Sequence, residues 1–206
     1  MDKIICVGKN YLDHAKELGD AIPKKPILFL KPPSVLKSTQ KSFQDGRTLI
    51  AHLPEGRGPV HYECEIVLRI RCQPGSAPTF DALTLGLDMT IREAQTELKR
   101  QGHPWELGKV FEDSALVGQW KPIKDIPNYL DKEFTCFIDG QLRQKAMGNQ
   151  MTLSPEICLT YAHENFPLCD GDLLFTGTPA GVGPVNKGQC AQLQWEGETL
   201  LEVKWE

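Results

Sequence analysis

Short apolar runs, separated by glycine and proline, recur along almost the whole chain. Runs of this kind that are rich in β-branched and aromatic residues are typical of strands, and the Gly and Pro between them are typical of turns. The strands that we predict are Ile4–Val7, Ile27–Leu30, Glu63–Ile70, Phe134–Ile138, Leu173–Phe175, Ala191–Trp195 and Leu200–Trp205. Asp139-Gly140 and Glu196-Gly197 stand between strand-like runs and predict hairpin turns, since both supply residues that tolerate a positive φ. The C-terminal third is therefore expected to be antiparallel.

Three segments have helical character instead: Tyr11–Leu18, Thr90–Arg100, and a segment that opens at Ser154-Pro155-Glu156. In the last of these, a serine precedes a proline at the first helical position, which is a frequent helix start. Helices are thus a minority, and the pattern favours an α+β fold that is mainly β.

Composition narrows the classes of function. A length of 206 residues with 40 % hydrophobic content fits one domain, residues 1–206. The 23 basic and 27 acidic residues give a net charge of -4, and no run of Lys and Arg indicates a nucleic-acid partner. No apolar stretch approaches the roughly 20 residues that span a bilayer, and the chain opens on a strand-like run without a signal-peptide pattern. We therefore expect a cytoplasmic protein with no membrane partner.

The seven cysteines are spread through mostly apolar segments and form no Cys-x-x-Cys pair. This distribution predicts buried thiols rather than a zinc or redox site. A cysteine nucleophile is the alternative, but no Cys has a neighbouring His at a telling position.

Two acidic residues one position apart carry the clearest chemical signal. Glu63 and Glu65 lie at the start of a predicted strand, where residues i and i+2 point to the same side and Cys64 points to the other. Two carboxylates at the entrance to an apolar run repel each other and resist desolvation unless a cation or a shared proton offsets them. The alternative is an exposed strand face, which accounts for most isolated acidic pairs.

Asp88 offers a third carboxylate. It follows the apolar segment 83–87 and precedes the predicted helix, so it lies at the end of an element where a side chain can project into a cleft. The alternative is a helix N-cap, although Thr90 could also fill that position. Three oxygen ligands that leave several positions open suit Mg²⁺, with Mn²⁺ close behind.

Five ordered motifs resemble the fumarylacetoacetate hydrolase family over nearly the whole chain. They are Val7-Gly8-Lys9-Asn10-Tyr11-Leu12-Asp13-His14, Leu28-Phe29-Leu30-Lys31-Pro32, Glu63-Cys64-Glu65, Gly86-Leu87-Asp88-Met89-Thr90 and Thr176-Gly177-Thr178-Pro179-Ala180-Gly181-Val182-Gly183. The size resembles the short, single-domain branch, which includes acylpyruvate and fumarylpyruvate hydrolases, oxaloacetate decarboxylases and tautomerases, and hydroxymuconate isomerases. The resemblance implies a mixed β-roll or sandwich with a few short peripheral helices, and a homodimer.

The resemblance also assigns roles to residues. It implies that Glu63, Glu65 and Asp88 bind Mg²⁺ or Mn²⁺, for which Ca²⁺ substitutes in some crystals, and that Lys109 binds substrate or stabilises an enolate beside the metal. His14 and Glu17 match a His-Glu pair on a mobile lid helix that activates water in the family's hydrolases. An isolated His-x-x-Glu is otherwise a surface contact, and most lysines are solvated.

Further residues are candidates for substrate binding: Lys9, Arg92, Gln95 and Thr178. Lys9 stands where relatives often have Arg, so bidentate recognition of a carboxylate would be lost there. Helical Gln and Arg are usually exposed, and the glycine-rich segment around Thr178 has a plain turn as its alternative.

These residues together suit hydrolysis of the C-C bond of an acylpyruvate through a metal-bound enolate of pyruvate. The alternatives are oxaloacetate decarboxylation, keto-enol tautomerisation, a 5-carboxymethyl-2-hydroxymuconate type of isomerisation or decarboxylation, and a catalytically silent metal-binding protein. In each enzymatic case the partner is a small keto acid. Retention of His14 and Glu17 argues against the silent protein.

Overall fold

The structure, a computed structural model, describes residues 1–13, 23–39 and 48–206. Strands and helices in those ranges follow one another with short connections. The strands are β1 (Ile4–Gly8), β2 (Ile27–Lys31), β3 (Leu36–Ser38), β4 (Thr48–Ala51), β5 (Val60–Tyr62), β6 (Cys64–Arg71), β7 (Thr79–Asp88), β8 (Thr90–Ile91), β9 (Ala115–Val117), β10 (Lys121–Pro122), β11 (Glu133–Ile138), β12 (Gln141–Met147), β13 (Leu173–Phe175), β14 (Gly183–Val185), β15 (Cys190–Trp195) and β16 (Glu198–Trp205). The α helices are α1 (Arg92–Gln101), α2 (Glu106–Lys109) and α3 (Pro155–Asn165), and 3-10 turns occupy Pro33–Val35, Ile123–Asp125, Tyr129–Asp131 and Gly148–Gln150.

The largest sheet holds the long strands β6 and β7 at its centre. Its order is β2-β1-β13-β6-β7-β9-β3, and β10 also pairs with β7. Most neighbours are antiparallel, but β1 runs parallel to β13 and β3 runs parallel to β9. β6 and the end of β7 are buried almost throughout, as expected for strands that are covered on both faces.

A second sheet has the order β12-β11-β15-β16-β4, and a small third sheet has the order β14-β5-β8. In the second sheet, Asp139-Gly140 forms the turn between β11 and β12, with φ of 49° and 74°. Glu196-Gly197 forms the turn between β15 and β16, with φ of 49° and 81°. Both predicted hairpin turns are thus confirmed. The predicted antiparallel arrangement is confirmed for the pairs of β11 with β12, β11 with β15 and β15 with β16, while β13 and β16 each also have a parallel neighbour, β1 and β4.

The two large sheets approach each other very closely at Gly118. A Cβ atom on this residue would lie 2.3 Å from the Leu200 carbonyl oxygen, so only glycine fits. Leu200 O accepts a hydrogen bond from Gln119 N at 2.9 Å, which joins β16 to the segment after β9. Side chains of both sheets form the main core, among them Leu85, Phe134 and Leu193. The curled sheets and few short helices agree with the predicted mainly β fold.

Most of the predicted elements are present with shifted ends. The helix predicted over Thr90–Arg100 begins two residues later, because Thr90 and Ile91 form β8 and pair with His61 and Val60. Neither Asp88 nor Thr90 therefore caps it; the N-cap is Ile91, and its side chain makes no capping hydrogen bond. In α3, by contrast, the Ser154 hydroxyl accepts a hydrogen bond from Ile157 N, as the sequence predicts.

The remaining predictions on structure have mixed outcomes. The helix predicted over Tyr11–Leu18 lies mostly outside the described residues. Four of the seven cysteines are buried, and Cys169 is exposed. No helix among the described residues is both long and apolar enough to cross a membrane.

Candidate metal centre and active site

Three buried carboxylates meet where β6 begins and β7 ends. The register of the two strands sets Cys64 opposite Leu87, and Asp88 N donates to Glu63 O at 2.9 Å. Glu63, Glu65 and Asp88 each offer an oxygen, and these oxygens lie within 4.8 Å of one another. The three residues are 5 %, 2 % and 1 % exposed. An exposed strand face is therefore the wrong interpretation of the glutamate pair, and Cys64 faces the hydrophobic core.

Lys109 lies between two of these carboxylates, at the end of α2. Its Nζ is 2.8 Å from Glu63 Oε2, 2.7 Å from Asp88 Oδ2 and 2.7 Å from the Thr90 hydroxyl. Burial by itself lowers the pKa of Lys109, but the neighbouring Asp88 and Glu63 outweigh it, and the pKa is raised above its ordinary value. Lys109 is thus a buried cation and not a solvated surface lysine.

α2 reaches this position because Gly108 lets it pack directly on α1. A Cβ on Gly108 would lie 2.9 Å from Gln95 N and 3.0 Å from Gln95 Cα. Any larger residue would push α2, and Lys109 with it, away from the carboxylates. The ring of Phe29 lies 5.1 Å from Lys109 Nζ and adds a cation-π contact.

Lys31 is a second buried cation, which the sequence-based prediction missed. Its Nζ lies 2.5 Å from Asp88 Oδ1 and donates to Met89 O at 3.1 Å and to Ser114 O at 2.6 Å. The side chain is 1 % exposed. A signal was present in the sequence, since Lys31 directly continues the apolar run Ile27–Leu30 in a motif already used for the family resemblance.

Arg92 and Gln95, both predicted to bind substrate, lie on the first turn of α1 beside the carboxylates. Arg92 forms an ion pair with Glu63 and donates from Nη1 to Gln95 Oε1 at 2.7 Å. Gln95 is 5 % exposed, so the expectation of exposed helical side chains is wrong here. In this conformation Arg92 is directed to Glu63.

Glu65 is held by the segment that follows β13. Gly177 N donates to Glu65 Oε2 at 2.8 Å. Burial, together with the charges of Asp88 and Glu63, raises the pKa of Glu65 well above its ordinary value, and the Lys109 cation and the Gly177 hydrogen bond only partly offset this. An additional cation in contact with these carboxylates would therefore stabilise the ionised form of Glu65.

Thr178, a candidate for substrate binding on that same segment, contacts the first residue of β6. Its hydroxyl donates to Cys64 O at 2.8 Å and accepts from Gln144 Nε2 at 2.8 Å. Both partners are protein atoms, and the residue is 3 % exposed. Substrate binding by Thr178 stays a prediction, and sequence reasoning missed Gln144 altogether.

Lys9, a predicted substrate-binding residue from the motif at positions 7–14, directly follows β1. Lys9 is half-buried and has a positive φ of 58°. The next residue, Asn10, joins the motif to the rest of the site: its Nδ2 donates to Thr176 O at 2.9 Å, and its Oδ1 accepts from Leu153 N at 2.9 Å. His14 and Glu17, the predicted catalytic pair, lie outside the described residues.

The donor set fits a hard divalent cation. All three carboxylates offer oxygen, the ligand atom that Mg²⁺ and Mn²⁺ accept. Asp88 Oδ1 is buried with Lys31 Nζ at 2.5 Å, and because a carboxylate oxygen has more than one lone pair it retains coordinating capacity beside Lys31. A second group, His52, Glu112 and Asp113, also brings ligand atoms together, but two of its members are exposed and Asp113 is already bound by Lys37 at 2.8 Å.

Comparison with known proteins places this chain in a family. The mitochondrial oxaloacetate tautomerase of Caenorhabditis elegans is 41 % identical over 197 residues, which cover 92 % of this chain and 88 % of that protein. The mitochondrial oxaloacetate decarboxylase of Dictyostelium discoideum is 35 % identical over 91 % of this chain and 85 % of that protein. The crystal structure of fumarylpyruvate hydrolase from Pseudomonas aeruginosa, in complex with Mn²⁺ and pyruvate, superposes with a TM-score of 0.87 at 32 % identity and covers 98 % of this chain and 88 % of that one. Residues 3–203 match the family described as Fumarylacetoacetate (FAA) hydrolase C-terminal. The chain therefore belongs to the fumarylacetoacetate hydrolase family.

Proposed function

We propose that this protein is a Mg²⁺-dependent oxaloacetate tautomerase, which interconverts the keto and enol forms of its substrate. The family and its named relatives indicate an enzyme, and the relative at 41 % identity is named an oxaloacetate tautomerase. Tautomerisation, an alternative in the sequence analysis, thereby takes precedence over acylpyruvate hydrolysis. The observation that carries the proposal is the balance of charge in the buried cluster.

Three cations face the three carboxylates. Lys31 contacts Asp88, Lys109 contacts Glu63 and Asp88, and Arg92 contacts Glu63. Three positive and three negative charges cancel, so a bound divalent ion would leave the centre about two units positive. A centre with two excess positive charges suits a substrate with two carboxylates, such as oxaloacetate.

Lys109 is assigned the role of a donor rather than a base. In the metal-free protein, Asp88 and Glu63 raise the pKa of Lys109, which favours a protonated side chain that acts as a donor and not as a base. To donate a hydrogen bond to the oxygen on which negative charge develops as a proton leaves the substrate carbon, Lys109 would exchange one of its three present acceptors, Glu63, Asp88 or Thr90. The base is then a different group, and His14 with Glu17 remains our prediction for it.

The metal would be held by Glu63, Glu65 and Asp88. When bound, it supplies Lewis-acid stabilisation of negative charge on the substrate's oxygens. Mg²⁺ is proposed because the ligands are all oxygen, and Mn²⁺ is the close alternative, which the P. aeruginosa hydrolase contains.

The test measures loss of the enol's ultraviolet absorbance after enol-oxaloacetate is added to protein with Mg²⁺ or Mn²⁺. Metal in buffer without protein sets the baseline. We expect a rate well above that baseline, a loss of at least about 100-fold in Glu65→Gln, and no change in Glu55→Gln, an exposed glutamate that pairs with Lys187. A wild-type rate equal to the baseline would overturn the proposal.

Acylpyruvate hydrolysis remains the second candidate, since fumarylpyruvate hydrolase is a close structural neighbour. The same preparation is assayed for pyruvate released from acetylpyruvate, fumarylpyruvate and oxaloacetate. Release from the first two would favour hydrolysis, and release from oxaloacetate would favour decarboxylation.

Two further predictions accompany the function. A homodimer is proposed on the family resemblance, and sedimentation of the purified protein tests it. A cytoplasmic location is also only proposed, since the relatives include mitochondrial and bacterial proteins.

A further inference from the structure

The strand β6, which begins between the two glutamates, loses one of its two main-chain neighbours near its start, whereas β7 stays paired with it. β13 pairs with β6 at Arg69, Leu68 and Val67 and ends at Phe175. Beyond that point Thr176 still binds Ile66 O, through its backbone N at 3.2 Å and its hydroxyl at 2.8 Å. On the β13 side of β6, the backbone hydrogen bonds therefore stop at Ile66, two residues short of Cys64.

Side chains take over the hydrogen bonds of Cys64. Its carbonyl oxygen accepts from the Thr178 hydroxyl at 2.8 Å, and its N-H donates to Gln144 Oε1 at 2.9 Å. Gln144 Nε2 donates in turn to the Thr178 hydroxyl and to Pro179 O, both at 2.8 Å. One amide thus closes a ring of hydrogen bonds around the residue between Glu63 and Glu65.

Glutamine suits this position because both an acceptor and a donor are required at its end. Cys64 N-H must meet an acceptor and Pro179 O must meet a donor, which also fixes which end of the amide is oxygen. A methionine of similar size offers neither, and an ionised glutamate offers no donor. Gln144 is 1 % exposed, so water does not readily replace a lost partner.

Gln144 also comes from another part of the fold. It lies on β12, which pairs with β11 in the second sheet, whereas Cys64 begins β6 in the first. Its contacts therefore fix the start of β6 relative to a different sheet and to the loop that holds Glu65 through Gly177.

We propose that Gln144 is a positioning residue of the metal centre, which fixes the backbone of Cys64 and thereby the spacing of the Glu63 and Glu65 carboxylates. The inference rests on the metal site of the proposed function. Groups that orient metal ligands from outside typically change metal affinity by about 10–100-fold when they are removed. Gln144 is expected to fall in that range although it contacts none of the three carboxylates.

The test is the affinity for Mn²⁺, measured by titration calorimetry and by electron paramagnetic resonance without substrate. We expect Gln144→Met to bind Mn²⁺ about 10–100-fold more weakly than wild type. Gln192→Met is the matched control: Gln192 lies on β15 of the same sheet, is exposed, and donates to Glu202. It should keep wild-type affinity. A folded Gln144→Met protein with wild-type affinity would overturn the inference.

Variants of Thr178 give the answer if Gln144→Met does not fold. Thr178→Val removes the hydroxyl that Gln144 and Cys64 share and should weaken Mn²⁺ binding, whereas Thr178→Ser keeps the hydroxyl and should restore it. Wild-type affinity in Thr178→Val would count against the ring of hydrogen bonds. Because no substrate is present, a wild type that binds Mn²⁺ but leaves oxaloacetate unchanged would refute the proposed substrate and leave this inference standing.

Discussion

Lys109 is the buried cation that contacts two of the three carboxylates. In Lys109→Met, Glu63 and Asp88 lose the ammonium group that contacts both of them. Removal of one member of a buried ion pair typically costs about 3–5 kcal/mol, because the remaining charge stays buried without its partner. We therefore expect the free energy of unfolding of the metal-free variant, measured in urea with a chelator present, to fall by about that amount.

The control for this prediction is Lys124→Met, which changes an exposed lysine in the same way. It should leave the free energy of unfolding unchanged. Added Mn²⁺ should restore part of the stability that Lys109→Met loses, since a metal cation can replace the missing charge. Equal stability of wild type and Lys109→Met would contradict the role of Lys109 as the main counter-charge.

Gly177 is a residue whose missing side chain matters. Its φ is +95°, and a Cβ there would lie 2.8 Å from Asn10 Cβ and 3.1 Å from Val7 O. Gly177→Ala combines backbone strain with a clash and should cost about 3 kcal/mol or more in a denaturant titration. Gly140→Ala, at a φ of +74° with open space around it, should cost only about 1 kcal/mol. Similar losses in the two variants would show that the close contact with Asn10 is unimportant.

At the scale of elements, Asp172 joins the turn before β13 to the residues before β1. Its buried carboxylate accepts hydrogen bonds from the backbone N of Asp2, Lys3 and Cys169 and from Lys3 Nζ. Burial opposes ionisation, but these hydrogen bonds outweigh it and lower the pKa of Asp172 below its ordinary value of 3.8. The ionised form is therefore the one that stabilises the parallel pair of β1 and β13.

The pH dependence follows from that sign. A lowered pKa in the folded state gives stability that is fully present above the ordinary value and is lost as the pH falls below it. Asp172→Asn should thus reduce the free energy of unfolding near pH 7 by about 2 kcal/mol, and the difference should shrink in acid. Denaturant titrations at several pH values test this, with the exposed Asp125→Asn as control. A difference that grows in acid would contradict the assignment.

A strand whose apolar run is continuous can be predicted from the sequence alone. Leu173–Phe175 is apolar at every position, and the strand has those same bounds. β7 was missed, because Thr84, Gly86 and Asp88 interrupt its apolar pattern, although all three are buried in the middle of the sheet. α2 has only four residues and follows no helical period, so its presence depends on packing against α1 through Gly108.

In the candidate site, too, some residues could be predicted from the local sequence pattern and others could not. Glu63, Glu65 and Asp88 were predictable because a strand's alternation and an element's end place them without knowledge of distant contacts. Lys31 and Gln144 were not, since Lys31 reaches Asp88 from β2 across 57 residues of sequence, and Gln144 reaches Cys64 from β12 across 80 residues. Only the pairing of strands in space specifies such contacts.

At the scale of the whole molecule, the cluster of charges links stability to metal. A ligand that binds only the folded state adds about 2.7 kcal/mol at 100 times its dissociation constant. Wild type should therefore unfold at a higher temperature as Mg²⁺ or Mn²⁺ is added, and a chelator should reverse the gain. The metal-free protein must instead fold with three buried carboxylates, of which only Glu63 and Asp88 contact protein cations among the described ion pairs.

Glu65→Gln should change the stability of the metal-free and of the metal-bound protein differently. Of the three carboxylates, Glu65 has no cation in direct contact among the described ion pairs, and burial with its acidic neighbours raises its pKa. Because burial and the acidic neighbours disfavour the ionised carboxylate, the neutral glutamine should make the metal-free protein more stable than wild type. The same change removes a metal ligand, so the gain in stability on adding Mn²⁺ should disappear. Thermal unfolding with and without Mn²⁺ measures both effects, and Glu55→Gln should show neither. A metal-free Glu65→Gln protein that is less stable than wild type, or one that keeps the metal-dependent gain, would mean that the buried cluster is a structural ion-pair network and not a metal centre.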